Sequence, residues 1–180
     1  MRIIAGQWRG RRLIAPEGEA TRPTADRTRE TLFSMLASRL GGFEGLTAGD
    51  FFAGSGGLGL EALSRGAAHC LFVEQDPAAI RALRQNVAAL RAQGQSDVRA
   101  ASVLALGPAK TPLDLLLMDP PYGSGAGVVA LDRLTRLGWI GPASWISIEA
   151  GRDERVEVRG YVTDATREVG RARLHLLRAG

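Results

Sequence analysis

Asp50-Phe51-Phe52-Ala53-Gly54-Ser55-Gly56-Gly57-Leu58-Gly59 is the stretch on which the fold turns. The apolar residues before it read as a buried strand. Gly54, Gly56 and Gly59 form a G-x-G-x-x-G loop, and a helical pattern follows from about Leu58 to Arg65. Glycine has no Cβ, so such a loop lets a ligand come close to the backbone. A second apolar run, His69 to Val73, ends in Glu74, which lies 20 residues after Gly54. That is the distance at which a carboxylate receives ribose hydroxyls. Strand, glycine loop, helix, strand and acid together point to a nucleoside-containing cofactor.

Working outward, strand and helix patterns alternate over residues 47–149. Asp76-Pro77 opens a helix predicted to run to about Gln93, with Ile80, Leu83, Val87 and Leu90 as its apolar stripe and Gly94 as its stop. Val98 to Ser102 reads as a third strand and Leu113 to Met118 as a fourth, buried and parallel. A helix to about Leu137 and a strand from Ser144 to Glu149 follow. Strand-like stretches from Val156 to Leu177 close the chain, with His175 expected to face solvent. The pattern predicts a doubly wound, mostly parallel α/β sheet with an antiparallel edge. It is a single domain over residues 1–180.

The fourth strand runs into Asp119-Pro120-Pro121-Tyr122. Two prolines cannot continue a ladder, so the chain turns out at the strand's carboxyl end, where open α/β sheets bind ligands. An acid, a rigid corner and an aromatic ring are presented there together.

The N-terminal part is basic. Residues 1–29 hold Arg2, Arg9, Arg11, Arg12, Arg22, Arg27 and Arg29 against three acids, in a chain of net charge +4 and pI about 10.2. Lys110 is the only lysine among the 23 basic residues. A basic arm over residues 1–24 suggests a polyanionic partner. Residues 2–14 read as a small β-hairpin with Ile3, Ile4, Leu13 and Ile14 inward. Trp8, Arg9, Arg11, Arg12 and Arg22 are the candidate residues for contacting such a partner, which would be RNA under the resemblance given below. Trp8 can stack on a base or cap a small core. Thr24 is read as the N-cap of a helix reaching Leu40, with Leu32, Phe33, Leu36 and Leu40 on its buried side. With Arg27, Thr24 sits where a ligand could be held. A lone cysteine, Cys70, excludes an internal disulfide. No run approaches the ~20 apolar residues of a membrane span.

The Asp119–Tyr122 tetrapeptide resembles the DPPY motif of S-adenosylmethionine-dependent methyltransferases that modify exocyclic amines of bases. Arg2 to Leu13 (RIIAGQWRGRRL) and Arg22 to Glu30 (RPTADRTRE) narrow the resemblance to the bacterial 16S rRNA guanine-N2 methyltransferases. The loop continuing as Gly57 to Ala67 fits the same family. The resemblance implies a Rossmann-like methyltransferase domain (arm 1–24, catalytic core 25–180) using S-adenosylmethionine and no metal. It also implies a cytoplasmic, monomeric protein acting on 16S rRNA of assembling or assembled small ribosomal subunits. Asp119, Pro120, Pro121 and Tyr122 would hold the amine and base. The cofactor would rest on Thr24, Arg27, Asp50, Phe52, Ala53, Gly54, Ser55, Gly56, Gly59, Glu74, Gln75 and Asp119. Ser102 stands where the wider superfamily has an aspartate for the adenine amine, so Ser102 or backbone at Val103 takes that part. Two rival readings stay open at this point: a methyltransferase of adenine or cytosine amines in DNA, and a non-catalytic RNA- or nucleotide-binding module on the same fold.

Overall fold

The computed structural model describes residues 1–16 and 25–180 in full, and the backbone of Pro23 and Thr24. In chain order the elements are α1 (Pro23–Leu40), β1 (Thr47–Phe51), α2 (Gly57–Ser64), β2 (His69–Glu74), α3 (Pro77–Ala89), β3 (Ser96–Ala100), β4 (Leu113–Met118), α4 (Ala126–Arg136), β5 (Ile140–Gly151), β6 (Tyr161–Val169) and β7 (Ala172–Ala179). The seven strands form one sheet in the order β3-β2-β1-β4-β5-β7-β6. β3, β2, β1, β4 and β5 pair in parallel, while β7 is antiparallel to both β5 and β6. After β1 the chain builds outward to β3, then returns to lay β4 on the other side of β1. That reversal opens a crevice above the carboxyl ends of β1 and β4.

Helices cover both faces. Leu32, Phe33 and Leu36 of α1, Leu60 and Leu63 of α2, and Leu83 and Val87 of α3 share one buried layer with Phe72, Leu115 and Leu117. Ala130, Leu131 and Leu134 of α4 form the other with Phe51, Val73, Leu116, Met118 and Ile148. A strand buried on both faces needs apolar residues at every position, which explains why Leu115–Met118 is unbroken.

Four expectations change. α1 begins at Pro23, so Thr24 lies in its first turn and does not cap it; proline at the first helical position loses no hydrogen bond. α3 ends at Ala89, not near Gln93, because Arg91 takes φ 53 and closes the helix before Gly94. The arm is a short hairpin, with Ile3 N donating to Arg11 O, Gly10 N to Ile3 O and Leu13 N to Met1 O, each at 2.9 Å, around one antiparallel bridge, Arg2 to Arg12. The amides of Ile4, Ala5, Gln7 and Trp8 turn to α2, and Ile14, expected inward, is exposed. His175 is buried between β5 and β6, because β7 is an inner strand and not an edge. No helix among the described residues is long and apolar enough to cross a membrane.

The arm is pinned by Glu61, which is fully buried. Its carboxylate accepts from Ile4 N (2.9 Å), Ala5 N (3.1 Å), Arg29 Nε (3.3 Å) and Arg65 Nε (2.9 Å). Four donors fill the acceptor capacity of one carboxylate. Arg29, also buried, spans from Glu61 to Asp26 and donates to the Arg2 carbonyl. Ser64 accepts from Trp8 N at 3.0 Å and donates to Ala5 O at 2.6 Å. Gly6 lies against the Ser64 carbonyl, where a Cβ would stand 1.9 Å from the oxygen.

Candidate active site

Strand register sets one row of residues across the crevice. Phe51 pairs with Val73 on one side and Met118 on the other, and Met118 pairs with Ile148. The next residue on each strand is therefore Glu74, Phe52, Asp119 or Glu149. Side chains alternate along a strand, so these four leave the face that buries Phe51, Val73, Met118 and Ile148. Three carboxylates and a ring emerge in line where the sheet ends.

The glycine loop bends over this row. Gly54 has φ 58, and a Cβ there would meet nothing within 4 Å, so its backbone faces open space. Its N–H donates to Glu74 Oε1 at 2.8 Å. Gly56 and Gly59 serve packing instead: a Cβ would stand 2.4 Å from Leu83 Cδ1 at Gly56 and 2.3 Å from Phe72 Cε1 at Gly59. Of the three motif glycines, only Gly54 has room beside it for a ligand. Phe52 is a non-glycine residue at φ 64, a conformation that costs energy and concentrates at functional sites. Under the loop, buried Asp50 accepts from Gly59 N at 2.9 Å through Oδ2, while Oδ1 has no partner. Burial, opposed by that bond and reinforced by Glu74, raises its carboxyl to about 8.

Two cavities meet at Phe52, Gly54 and Asp119. One, of about 420 Å³, is lined by Glu74, Gln75, Ser102, Val103, Pro121 and Tyr122. The other, of about 300 Å³, is lined by Asp50, Ala53, Ser55, Arg29, Asp119 and Glu149. Both Glu74 oxygens are oriented by backbone: Oε2 accepts from Gln75 N and Asp76 N, each at 2.8 Å. Ser102 Oγ accepts from Leu104 N at 3.2 Å, capping a short turn at Val103–Ala105. Its hydroxyl proton stays able to donate into the larger cavity.

The Asp119–Tyr122 corner is braced from β5. Tyr122 is about half exposed, and its hydroxyl donates to Glu149 Oε1 at 2.7 Å. Glu154, just after β5, accepts from Gly123 N (3.0 Å) and Gly151 N (3.1 Å) through one oxygen, and those bonds lower its carboxyl. Pro120 is buried against Gly127 of α4, where a Cβ would stand 3.0 Å from Pro120 Cγ. Asp119 opens to solvent along the crevice, yet its carboxyl is walled by protein and lies against Glu149. That enclosure first, then Glu149 and Asp50, pushes it above the usual carboxylate range. Burial and the Glu149 contact likewise raise the Tyr122 phenol.

Most residues expected at the site converge there. Asp50, Phe52, Ala53, Gly54, Ser55, Glu74, Gln75, Ser102, Val103 and Asp119 through Tyr122 all line the two cavities. Arg27 is exposed and outside the described cavity walls; Thr28 and Arg29, one helical step on, form that wall. Arg22 and the Thr24 side chain lie outside the described residues. Trp8 is half buried against the core layer of α1 and α2. Arg9, Arg11 and Arg12 are exposed, and Arg11 reaches the Ala89 carbonyl at 3.0 Å. Glu149, Glu61 and Arg29 were not foreseen as site residues. For Glu149 a partial signal was present, since the strand predicted from Ser144 ends in this acid as β2 ends in Glu74, although β5 runs on to Gly151.

The comparisons with known proteins bear on this geometry. A family described as Conserved hypothetical protein 95 matches residues 1–178. Ribosomal RNA small subunit methyltransferase D of Escherichia coli is 41% identical over 150 residues, 83% of this chain and 74% of that one. The chain belongs to the small-subunit rRNA methyltransferase D family. The Haemophilus influenzae member is 38% identical over 86% of this chain and 80% of its own. The solved structure of yhhF from Escherichia coli, which carries a methyltransferase designation, superposes with a TM-score of 0.84 at 35% identity, covering 99% and 97% of the two chains. Membership explains why the crevice, the Asp119 corner and the arm occur together in one chain: the family match spans all three.

Proposed function

We propose that this protein transfers a methyl group from S-adenosylmethionine to the exocyclic N2 amine of one guanine in 16S rRNA. The observation that carries this is the row Glu74, Phe52, Asp119 and Glu149 at the junction of two cavities, in a chain of the rRNA methyltransferase D family.

The residues fit the cofactor. Glu74, held by three backbone N–H groups, presents its remaining lone pairs to ribose hydroxyls. Ser102 and Val103 border the space for adenine. Gly54 leaves the backbone bare, and the unpartnered Asp50 Oδ1 is an acceptor for an ammonium group. The cofactor supplies an activated methyl on a sulfonium centre.

The chain's own residues do the rest. The guanine N2 lone pair is delocalised into the ring and is a weak nucleophile. Asp119 and the Pro120 carbonyl accept its two N–H bonds and turn the lone pair toward the methyl group, a gain from orientation and electrostatics. Pro121 keeps the corner stiff. Tyr122 offers its half-exposed ring to stack on the base, worth ~1–3 kcal/mol for an unpaired nucleotide. The methylated amine is cationic and sheds a proton, which Asp119 takes. A paired guanine must leave its stack to reach this crevice, so the target is flipped or looped. One chain carries every residue the reaction uses.

The test uses purified protein, labelled S-adenosylmethionine and small ribosomal subunits from a strain lacking this enzyme. Label in N2-methylguanosine at one position is expected. Label in another nucleoside, or none in RNA but some in DNA, would sink the assignment. Asp119→Ala should abolish transfer while most cofactor affinity remains.

A further inference from the structure

Glu149 is the one carboxylate of the row that neither holds the cofactor nor takes an amine hydrogen. It belongs to the smaller cavity together with Asp119, and the two carboxyls are in contact. Among the described residues no Lys, Arg or His forms an ion pair with either. Tyr122 occupies one Glu149 oxygen, Oε1, and the same carboxylate lies within hydrogen-bonding reach of Asp119 on the cavity wall. Two adjacent acceptors without a cation call for a ligand edge that carries two adjacent donors.

The bases differ on this point. Guanine presents N1–H directly beside its N2 amine. Adenine has the bare N1 lone pair beside its amine, and cytosine has the bare N3 lone pair. A hydrogen-bond acceptor next to the amine seat is satisfied by guanine and repelled by the lone pairs of the other two. We propose that Glu149 is the specificity-determining residue of this site, accepting guanine N1–H through Oε2 while Asp119 takes an N2–H. This rests on the guanine-N2 reading above. The Tyr122 hydroxyl has a second role here, since its donation to Oε1 fixes which way the second oxygen points. A buried hydrogen-bonding group left facing a lone pair is costly, so the rejection is built into the same contact that recognises the correct base.

The test compares guanine with 2-aminopurine at the modified position of reconstituted small subunits, using the full-length enzyme and saturating S-adenosylmethionine. 2-Aminopurine keeps the C2 amine but has a lone pair at N1. The wild type is expected to prefer guanine by about 10- to 100-fold in kcat/KM, the range of one good base-edge contact. Glu149→Gln should shrink that ratio to within about 3-fold, because an amide can donate to N1 as readily as it accepts from it. Tyr122→Phe keeps the carboxylate but frees it to turn, so it should lower the ratio less than Glu149→Gln does while slowing both substrates. Cofactor affinity by calorimetry shows that each variant is folded. Glu149→Asp, which keeps the charge but withdraws it by a methylene, gives an independent arm: guanine should slow while 2-aminopurine does not. A wild-type ratio in Glu149→Gln, or equal slowing of both bases in Glu149→Asp, would overturn the proposal and leave Glu149 as a prop for Tyr122. Transfer by the wild type to an amine other than guanine N2 would overturn the reading beneath it, and shows in the guanine arm before any variant is compared.

Discussion

Gly54 N–H donates to Glu74 Oε1 at 2.8 Å, tying the glycine loop to the acid at the end of the neighbouring strand. With Gln75 N and Asp76 N on the other oxygen, both Glu74 oxygens are held by backbone, which suits the ribose contact proposed for it. Glu74→Ala should therefore weaken S-adenosylmethionine binding by about 10- to 100-fold, as expected for loss of a charged hydrogen-bond partner worth ~1.5–3 kcal/mol. Glu74→Gln keeps one acceptor and should lose less. Calorimetric titration of each variant decides it, and an unchanged Kd would remove Glu74 from the cofactor site.

The motif glycines should separate by phenotype. Gly59→Ala drives a methyl to 2.3 Å from the Phe72 ring and 2.7 Å from Cys70 Sγ, inside the core, so overpacking should cost ~1–3 kcal/mol or more. Gly54→Ala meets no protein atom, and its strain at φ 58 is worth ~1–2 kcal/mol. Its methyl would instead project into the space where the two cavities meet. Chemical denaturation should find Gly59→Ala the less stable, and cofactor titration should find Gly54→Ala the weaker binder. The reverse pattern would mean that the loop is held open for packing and not for a ligand.

These glycines also mark how far the sequence could be read. Spacing was enough to place a loop, a helix and an acid at one end of a parallel sheet, because each follows from local chemistry. It could not assign different duties to Gly54 and Gly59, which depend on the helix and strand behind each. Asp119 and Tyr122 were legible because Pro120 and Pro121 force the chain out of the sheet. Glu149 was harder to read, since its place beside Asp119 comes from the pairing of Met118 with Ile148 across β4 and β5. His175 was misread because alternation alone does not tell an inner strand from an edge. The arm read as a basic hairpin standing on its own; only the fold brings Glu61 beneath it.

Asp50 should leave a signature in pH. Its carboxyl is raised to about 8 in the folded protein by burial, while the unfolded chain titrates near the ordinary carboxylate value of about 4. Between those values the folded state keeps a proton that the unfolded state has released. The cofactor-free protein therefore loses stability as pH rises through that window, by at most about 1.4 kcal/mol per pH unit from this group. Asp50→Asn removes that slope, so its stability relative to the wild type should improve from pH 5.5 to pH 8. An ammonium group at Oδ1 favours the ionised form, so cofactor binding near pH 7 should release a proton, seen as a buffer-dependent heat. A pH-independent stability difference and no proton release would mean that Asp50 is ionised throughout.

Glu61 should act at a distance from the crevice. Replacing it with alanine strands two guanidinium groups, Arg29 at 4% and Arg65 at 16% side-chain exposure, and frees the amides of Ile4 and Ala5. Breaking a buried ion pair from one side costs ~3–5 kcal/mol. Urea denaturation should show a loss of that size. Hydrogen exchange should accelerate first at Ile4 and Ala5. Slow exchange at both amides in Glu61→Ala would show that the Ser64 contacts and the Arg2–Arg12 bridge are enough to seat the arm.

The seated arm gives the last expectation its form. Arg9, Arg11 and Arg12 are exposed on a segment whose backbone is fixed to α2, so their charges are presented from a rigid surface and need not be ordered on binding. Each phosphate they contact releases counterions, and log K falls with log salt by about 0.7 to 0.9 per contact. Replacing all three with alanine should weaken RNA binding and flatten the salt slope by about 2 to 3, while cofactor affinity stays unchanged. Arg11 also donates to Ala89 O, so part of its charge is committed to the end of α3, and its single substitution should move the slope least of the three. Filter binding across a salt series resolves this. An unchanged slope in the triple variant would assign the arm to structure and place the phosphate contacts elsewhere on the crevice rim.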